Sequence, residues 1–263
     1  MLLEDKNVVI YGAGGAVGSA VARSFAREGA RLFLTGRSLA AVQAVAKDIG
    51  TDGAVAEAAQ VDALDEQAVE NHLAAVVDKA KRIDVVFNAI GIPQKGIQGI
   101  PLIELSAESF TLPVTTYARS HFVTAKASAR RMVKQGFGVI LMHTPEPARF
   151  GAPLVGGMGP AWSAMESFAR SLSAECGPHG VRAVALRTTG MPETPTIDVV
   201  FGLHAKAIGV TRQQFLSTIE GMTHRRRSTS LRELADTAAF VASDRGAAMT
   251  GTVVNLTGGI AVD

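Results

Sequence analysis

A glycine-rich turn near the start of the chain has the residue types that bind a dinucleotide. It spans residues 11–18, follows the apolar run 8–10, which predicts a buried strand, and precedes an amphipathic helix near 17–28. Glycines allow the backbone to bend sharply and to approach a pyrophosphate closely. The N–H groups and the positive dipole end of the helix then face the phosphates. The residues predicted to bind the cofactor in this turn are Gly12, Gly14, Gly15, Ala16, Val17 and Gly18.

An arginine after the second predicted strand bears on which dinucleotide is bound. NAD sites usually place an acidic residue here to bind the ribose 2′-hydroxyl. This chain has Gly36 at that place and Arg37 directly after it. A guanidinium binds a 2′-phosphate through paired, charge-assisted hydrogen bonds, whereas a carboxylate repels it. The position of Arg37 therefore favours NADP(H) over NAD(H), and an ordinary exposed arginine is the alternative.

Strand-like and helix-like segments alternate along the whole chain, which predicts an α/β fold. Strands are predicted near 7–11, 31–35, 54–61, 84–88, 138–143, 181–187 and 252–256, and helices near 17–28, 39–49, 66–81, 113–135, 160–176 and 231–243. We expect residues 1–263 to form a single domain with a Rossmann-like, doubly wound parallel sheet of about seven strands and helices on both faces. The irregular segment 188–227 follows the sixth strand, beside the edge where ligands bind, and is a candidate substrate lid.

Composition limits the classes of partner. A formal net charge of +2 gives no reason to expect nucleic acid or an acidic membrane surface as a partner. The basic run Arg225, Arg226 and Arg227 is interpreted as a solvated loop, with an anion-binding lid as the alternative. The single cysteine, Cys176, excludes an intrachain disulfide, and no apolar run is long enough to span a bilayer. We therefore expect a cytoplasmic protein without a metal site.

The glycine turn resembles that of the short-chain dehydrogenase/reductase family. The family pattern is Thr-Gly-x-x-x-Gly-x-Gly, and this chain has Tyr11, Gly12, Ala16 and Gly18 in those places, so two of the four residues differ. The small side chain of Ala16 still permits close packing. The resemblance covers the whole chain, and it implies a nicotinamide cofactor, oxidoreductase activity and a homodimer or homotetramer.

Two further strand ends carry the same resemblance. The third predicted strand ends at Asp62, which is similar to the family aspartate that contacts adenine. The fourth ends in Asn-Ala-Ile-Gly, similar to the family turn Asn-Asn-Ala-Gly, which stabilises the central sheet and lines the cofactor. The resemblance therefore implies further cofactor-binding residues, which are Asp62, Ala63, Asn88, Ala89, Ile90 and Gly91.

The catalytic positions of the family are substituted. The family uses an Asn, a Ser and a Tyr-x-x-x-Lys pair, and counting from similar segments on either side places Tyr117, Pro145, Met158 and Trp162 at those four positions. The chain has two tyrosines, and neither is followed four residues later by lysine. The family tyrosine transfers the proton that accompanies hydride transfer. Its loss alone is expected to raise the barrier by about 3–5 kcal/mol.

Three residues near these positions are candidates to replace the proton donor. His143 precedes Pro145 by two residues, so strand alternation points both side chains the same way. An imidazole beside a nicotinamide can donate a proton near neutral pH. Thr144 carries a hydroxyl but points the other way, and Tyr117 carries a phenol on its helix. For each of the three, a purely structural role is the favoured alternative.

Two functions follow from these observations. The first is an NADP(H)-dependent oxidoreductase that acts on a small carbonyl, alcohol or enone with a non-standard active site; the substrate itself is unknown. The second is a catalytically inactive nucleotide-binding protein that acts as a redox sensor or scaffold.

Met158 and Trp162 lie one helical turn apart, an arrangement typical of core or of a subunit contact, with an apolar substrate pocket as the alternative.

Overall fold

One parallel sheet organises the computed structural model, which describes residues 1–51 and 53–262. Its strands are β1 Asn7–Tyr11, β2 Arg31–Gly36, β3 Ala56–Gln60, β4 Val85–Asn88, β5 Gly138–Pro145, β6 Val181–Thr188 and β7 Thr252–Leu256. Neighbouring strands follow the order β3-β2-β1-β4-β5-β6-β7, and every pair is parallel. The chain order reverses between β1 and β4, which is where a doubly wound sheet binds ligands. The predicted Rossmann-like α/β fold is confirmed.

Helices cover both faces of this sheet. They are α1 Ala16–Arg27, α2 Leu39–Thr51, α3 Glu66–Ala80, α4 Ala107–Gln135, α5 Met158–Cys176, α6 Pro195–Ala207, α7 Arg212–Met222 and α8 Leu231–Ala242. Apolar residues of α1, α2 and α8 pack on one face, and those of α3, α4 and α5 on the other. Alternate residues of β1 enter the two cores, Val8 on the first side and Val9 on the second. Burial on both faces explains why the strands read as continuous apolar runs.

The start of α4 differs from the prediction. The helix begins at Ala107, not near Pro113, and the hydroxyl of Ser106 caps it by accepting a hydrogen bond from the N–H of Ser109 at 3.1 Å. Pro113 lies in the second turn, where its missing N–H removes the bond to the Ser109 carbonyl without ending the helix. The prediction was wrong because proline marks a helix start less reliably than a serine cap does.

The segment 188–227 contains the two short helices α6 and α7. An ion pair of 2.6 Å between Arg212 and Asp198 and an edge-to-face contact between Phe201 and Phe215, with ring centroids 5.3 Å apart, join α6 to α7. His204 of α6 is buried against the segment that follows β4. In the described part of the chain, no helix has both the length and the apolar composition that a membrane span needs.

Candidate active site and cofactor cleft

The glycine turn is shaped so closely that side chains would not fit. Gly12 has φ +77°, and a Cβ there would lie 2.6 Å from the carbonyl oxygen of Ala89. A Cβ on Gly18 would lie 2.4 Å from the carbonyl oxygen of Gly12. Helix α1 begins at Ala16, and its N-cap, Gly15, provides no capping side chain. The N–H groups of the first helical turn are therefore left to a ligand.

The same turn suits an anion electrostatically. The first turn of α1 contains no acidic residue, so no carboxylate competes with an incoming phosphate for the positive end of the helix dipole. Gly14 and Gly15 are exposed, and Val17 is half-buried beside them. A Cβ on Gly14 would lie 2.9 Å from that of Ala41 at the start of α2. The residues of this turn fit the pyrophosphate of a dinucleotide.

Arg37 and Asp62 follow the neighbouring strands β2 and β3. Arg37 is exposed, its carbonyl accepts a hydrogen bond from Nε2 of Gln60 at 3.0 Å, and its guanidinium makes no hydrogen bond or ion pair with any residue that the structure describes. Asp62 is exposed and accepts from the N–H of Leu64 at 3.0 Å, which fixes the turn before α3. Ala63 is buried directly after it. A cation and a carboxylate therefore lie at the same edge as the glycine turn.

The turn after β4 is anchored from its first residue. Asn88 is buried and donates from Nδ2 to Oγ1 of Thr124 on α4 at 3.0 Å, while its Oδ1 accepts from the N–H of Ile90 at 3.0 Å. The N–H of Ala89 donates to the carbonyl of the last residue of β1 at 2.8 Å. Gly91 is exposed beyond them. The predicted segment 88–91 thus lies beside the glycine turn, as cofactor lining requires.

His143 lies near the carboxyl end of β5. Its Nε2 is 2.8 Å from Oγ1 of Thr188 on β6, which is hydrogen-bonding distance. Burial lowers the pKa of His143 to about 4, and the neighbouring His121 contributes in the same direction. The imidazole is therefore neutral at pH 7. It can donate or accept a hydrogen bond, but it carries no imidazolium proton to transfer to a substrate.

Thr144 belongs to a buried cluster on the other side of the sheet. Its hydroxyl donates to Oε1 of Glu166 at 2.9 Å. The same carboxylate receives two hydrogen bonds from Arg187, at 2.8 Å from Nε and at 2.7 Å from Nη2, and all three residues are buried. The carboxylate joins α5 to β5 and β6. The catalytic role predicted for Thr144 gains no support from these contacts.

Tyr117 and Trp162 meet between α4 and α5. Burial raises the pKa of Tyr117 to about 12, while hydrogen bonding from the Trp162 side chain and at the Ile92 backbone opposes the rise. An indole N–H carries no charge, so it cannot lower a phenol pKa as an ammonium group does. The structure therefore brings together two of the four residues that the sequence comparison aligned with catalytic positions, but the phenol is harder to deprotonate than an ordinary tyrosine.

The other two residues that the sequence comparison aligned with catalytic positions have side chains without an exchangeable proton. Pro145 is the last residue of β5, and Met158 is the first residue of α5. Met158, Trp162 and Met165 lie on one side of α5 within the core, with exposures of 0%, 8% and 2%. This stripe is core in the single chain, in line with the structural interpretation of its spacing.

Glu146 is a candidate site residue to which no sequence motif pointed. It begins a single 3-10 turn, 146–148, directly after β5. Burial raises the pKa of its carboxyl to about 7, opposed by its own backbone N–H and by that of Gly190. A glutamate immediately after a central strand is a signal that the sequence contains, but its burial depends on the fold around it.

The basic run near the end of the candidate lid is largely paired. Arg225 and Arg227 both contact Oε1 of Glu233, at 2.5 and 2.7 Å, and Arg226 donates to the carbonyl of Gly221. Their positive charge is partly neutralised by the carboxylate at the start of α8. These contacts favour the solvated loop over the anion-binding lid.

Comparisons with known proteins agree with this architecture. Residues 12–261 match the family model described as enoyl-(acyl carrier protein) reductase. The L-rhamnose 1-dehydrogenase (NAD(P)(+)) of Azotobacter vinelandii is 29% identical over 100% of this chain and 99% of its own length. The short-chain reductase NovJ of Streptomyces niveus is 28% identical over 97% of this chain and 94% of its own length.

Solved structures show the same fold at low sequence identity. The NAD+-bound xylitol dehydrogenase superposes with a TM-score of 0.92 at 23% identity, covering 98% of this chain and 100% of its own. Sorbitol-6-phosphate 2-dehydrogenase of Erwinia amylovora gives a TM-score of 0.90 at 20% identity, covering 97% and 100%. On the family match, with the glycine turn and sheet order that accompany it, the chain belongs to the short-chain dehydrogenase/reductase family, whose members include oxidoreductases that use nicotinamide cofactors.

Proposed function

We propose that this protein is an NADP(H)-dependent oxidoreductase acting on a small carbonyl, alcohol or enone. One observation carries the nucleotide part: the uncapped N-terminus of α1 opens onto glycines that leave no room for a Cβ. Such a turn presents backbone N–H groups to a pyrophosphate at close range. The first-turn residues, the 88–91 segment, Asp62 and Ala63 would hold the dinucleotide, which supplies or accepts a hydride when bound.

The preference for NADP(H) rests on Arg37. Its guanidinium is exposed at the end of β2, where the 2′-substituent of the adenine ribose lies in sheets of this type. A planar guanidinium grips a phosphate with two hydrogen bonds. Gly36 stands where an acid would disfavour that phosphate.

The substrate class is drawn from three supports. Relatives carry the names of an L-rhamnose dehydrogenase and a short-chain reductase, and the family model is described as an enoyl reductase. Segment 188–227, within one domain formed by residues 1–263, places α6 and α7 beyond the carboxyl end of β6. We assign this segment the role of substrate lid.

The active site proposed here is non-standard. Tyr117, Pro145, Met158 and Trp162 replace the proton relay of the family. Among the candidates from sequence, His143 is assigned the role of hydrogen-bond donor to the substrate oxygen. In this assignment the Thr188 hydroxyl donates to Nε2, and the single N–H of the neutral imidazole is on Nδ1. Tyr117 is assigned to the wall of the same cleft.

A second function is favoured by one specific observation. Met158 and Trp162, which the family resemblance assigns to the places of its tyrosine and lysine, are packed into the core and have no acidic proton to transfer. A nucleotide-binding redox sensor or scaffold would need no such group.

We further propose a homodimer or homotetramer, supported by Phe122 of α4, which is half-exposed with its ring 6.1 Å from that of Phe168 on α5.

A binding titration followed by a turnover assay separates the two functions. NADPH fluorescence is titrated first, and NADPH oxidation is then followed with a panel of carbonyl and enone substrates. Turnover supports the oxidoreductase, and tight binding without turnover on any substrate supports the sensor. In an active protein, His143→Ala is expected to lower kcat by about tenfold or more with NADPH affinity unchanged, and an unchanged rate removes His143 from the site.

A further inference from the structure

The carboxyl group of Glu146 lies next to Pro145, which the family resemblance aligns with the catalytic serine. Glu146 directly follows Pro145, the last residue of β5, and opens the turn 146–148. The turn is held against α5 by a hydrogen bond of 2.7 Å from Oγ of Ser163 to the carbonyl of Ala148. Glu146 is half-buried overall, yet its Oε2 has no solvent exposure and no hydrogen-bond partner within residues 1–51 and 53–262. Such an atom requires a proton or a ligand.

The surroundings of this carboxyl bring its pKa close to neutral pH. Burial raises its pKa to about 7, while the backbone N–H groups of Glu146 and Gly190 act in the opposite direction. The titratable and charged groups on its own turn, on β5, α5 and β6, and just after β6 are Arg149, His143, Glu166, Arg170, Glu175, Cys176, Arg182, Arg187 and Glu193.

These groups leave the carboxyl without a fixed ionic partner. Glu166 and Arg187 bind each other, and His143 is neutral at pH 7. Glu193 accepts a hydrogen bond from the N–H of Leu231. A group that is part protonated near pH 7 serves equally well as a general acid and as a general base.

The position of Glu146 fits the reacting end of a nicotinamide site. Gly190, whose N–H contacts the carboxyl, lies just beyond the end of β6, and Pro145 ends the adjacent strand β5. The carboxyl ends of these central strands border the cleft in which sheets of this type bind ligands. Neither Pro145 nor Met158 can exchange a proton there, whereas a carboxyl can.

We propose that Glu146 is the catalytic acid–base of this protein and exchanges the proton of the substrate oxygen. This inference rests on the oxidoreductase function proposed above. In the direction of carbonyl reduction, the new C–H bond would form with a hydride that a nicotinamide cofactor held in the glycine cleft would supply. The electron pair of the C=O π bond moves to oxygen, which takes the proton of the Glu146 carboxyl. An alcohol, oxidised cofactor and Glu146 carboxylate result, and the carboxylate regains its proton from solvent.

The test compares Glu146→Gln, which keeps the shape and removes the titration, with Glu175→Gln, a matched change at an exposed position of α5. NADPH affinity is expected to stay within about twofold in both variants. The kcat for carbonyl reduction is expected to fall about 10²- to 10⁴-fold in Glu146→Gln alone. Wild-type kcat should fall as pH rises through about 7, since reduction uses the protonated carboxyl, and this dependence should be absent from Glu146→Gln.

An infrared titration without cofactor or substrate gives a readout independent of activity. A protonated carboxyl band that disappears between pH 6 and 8 in wild type, and that is missing in Glu146→Gln, supports the assignment. The assignment is overturned if no such band exists, if Glu146→Gln keeps the wild-type rate and pH profile, or if NADPH binds without any turnover. Failure of wild type to bind NADPH instead overturns the proposed function itself.

Discussion

Replacing Arg37 by alanine tests the proposed coenzyme preference. The guanidinium lies exposed after β2 and makes no hydrogen bond or ion pair with any described residue, so its removal breaks no contact of the folded chain that the structure shows. Stability is therefore expected to change by less than about 0.5 kcal/mol. Any loss in coenzyme affinity can then be attributed to the ligand contact.

The magnitude follows from the exposure of the site. Hydrogen bonds to charged groups contribute about 1.5–3 kcal/mol, and solvent and salt screening reduce this at an exposed position. A loss of about 1.5–2.5 kcal/mol corresponds to an NADPH dissociation constant raised about 10- to 70-fold. NADH lacks the 2′-phosphate, so its dissociation constant should change by less than about twofold. Arg37→Lys keeps the charge without the paired geometry and should fall between wild type and Arg37→Ala.

The assay is a fluorescence titration of both coenzymes at two ionic strengths. Arg23→Ala is the matched control, because Arg23 on α1 is also a partly exposed arginine but is paired with Asp48 at 2.6 Å. The NADPH effect of Arg37→Ala should shrink at high salt, whereas Arg23→Ala should leave both affinities unchanged. Equal losses for NADPH and NADH in Arg37→Ala, or an equal NADPH loss in Arg23→Ala, would refute the reasoning.

Three further predictions concern stability. Gly18→Ala places a Cβ 2.4 Å from the carbonyl oxygen of Gly12 and should lower the free energy of unfolding, measured in urea, by about 1–3 kcal/mol. The control Gly50→Ala has open space around the new Cβ and should be neutral or stabilising by up to about 1 kcal/mol. Equal effects of the two changes would contradict the steric argument. Glu166→Leu removes the buried carboxylate that accepts hydrogen bonds from Thr144 and Arg187, and it should cost about 3–5 kcal/mol in the same assay. A cost below about 1 kcal/mol would show that this carboxylate is dispensable. Burial lowers the pKa of His121 from 6.5 to about 4, so the unfolded chain binds a proton at this residue before the folded chain does, and the free energy of unfolding should fall by as much as about 3 kcal/mol as pH drops from about 6.5 to 4. Urea unfolding at pH 7 and pH 5 should show a smaller pH effect in His121→Asn than in wild type. An identical pH effect would contradict the assignment.

The fold could be predicted because local patterns and burial agree. Apolar runs such as that of β1 are buried on both faces, so periodicity and environment give the same answer. The start of α4 was missed because two signals compete: Pro113 resembles a first-turn residue, but Ser106 supplies the cap. A serine cap is one hydrogen bond, visible in sequence only when its position relative to the helix is already known.

The candidate site was predictable where backbone geometry defines it and not where burial does. Gly12 and Gly18 of the turn mark the site in the sequence itself, because a Cβ at either position would clash with a backbone carbonyl. The neutral state of His143 and the shifted carboxyl of Glu146 arise from desolvation by several elements that meet only in the fold. Residue type identified the histidine as a candidate, but its protonation state required three-dimensional context.

The most direct test of nucleotide binding uses the only tryptophan of the chain, Trp162. It lies in the core and contacts Tyr117 between α4 and α5. Reduced nicotinamide absorbs where indole emits, so NADPH bound in the glycine cleft should quench the emission of Trp162 and gain emission of its own. The account predicts saturable energy transfer that NADP+ competes away. No transfer and no competition at millimolar NADPH would contradict it.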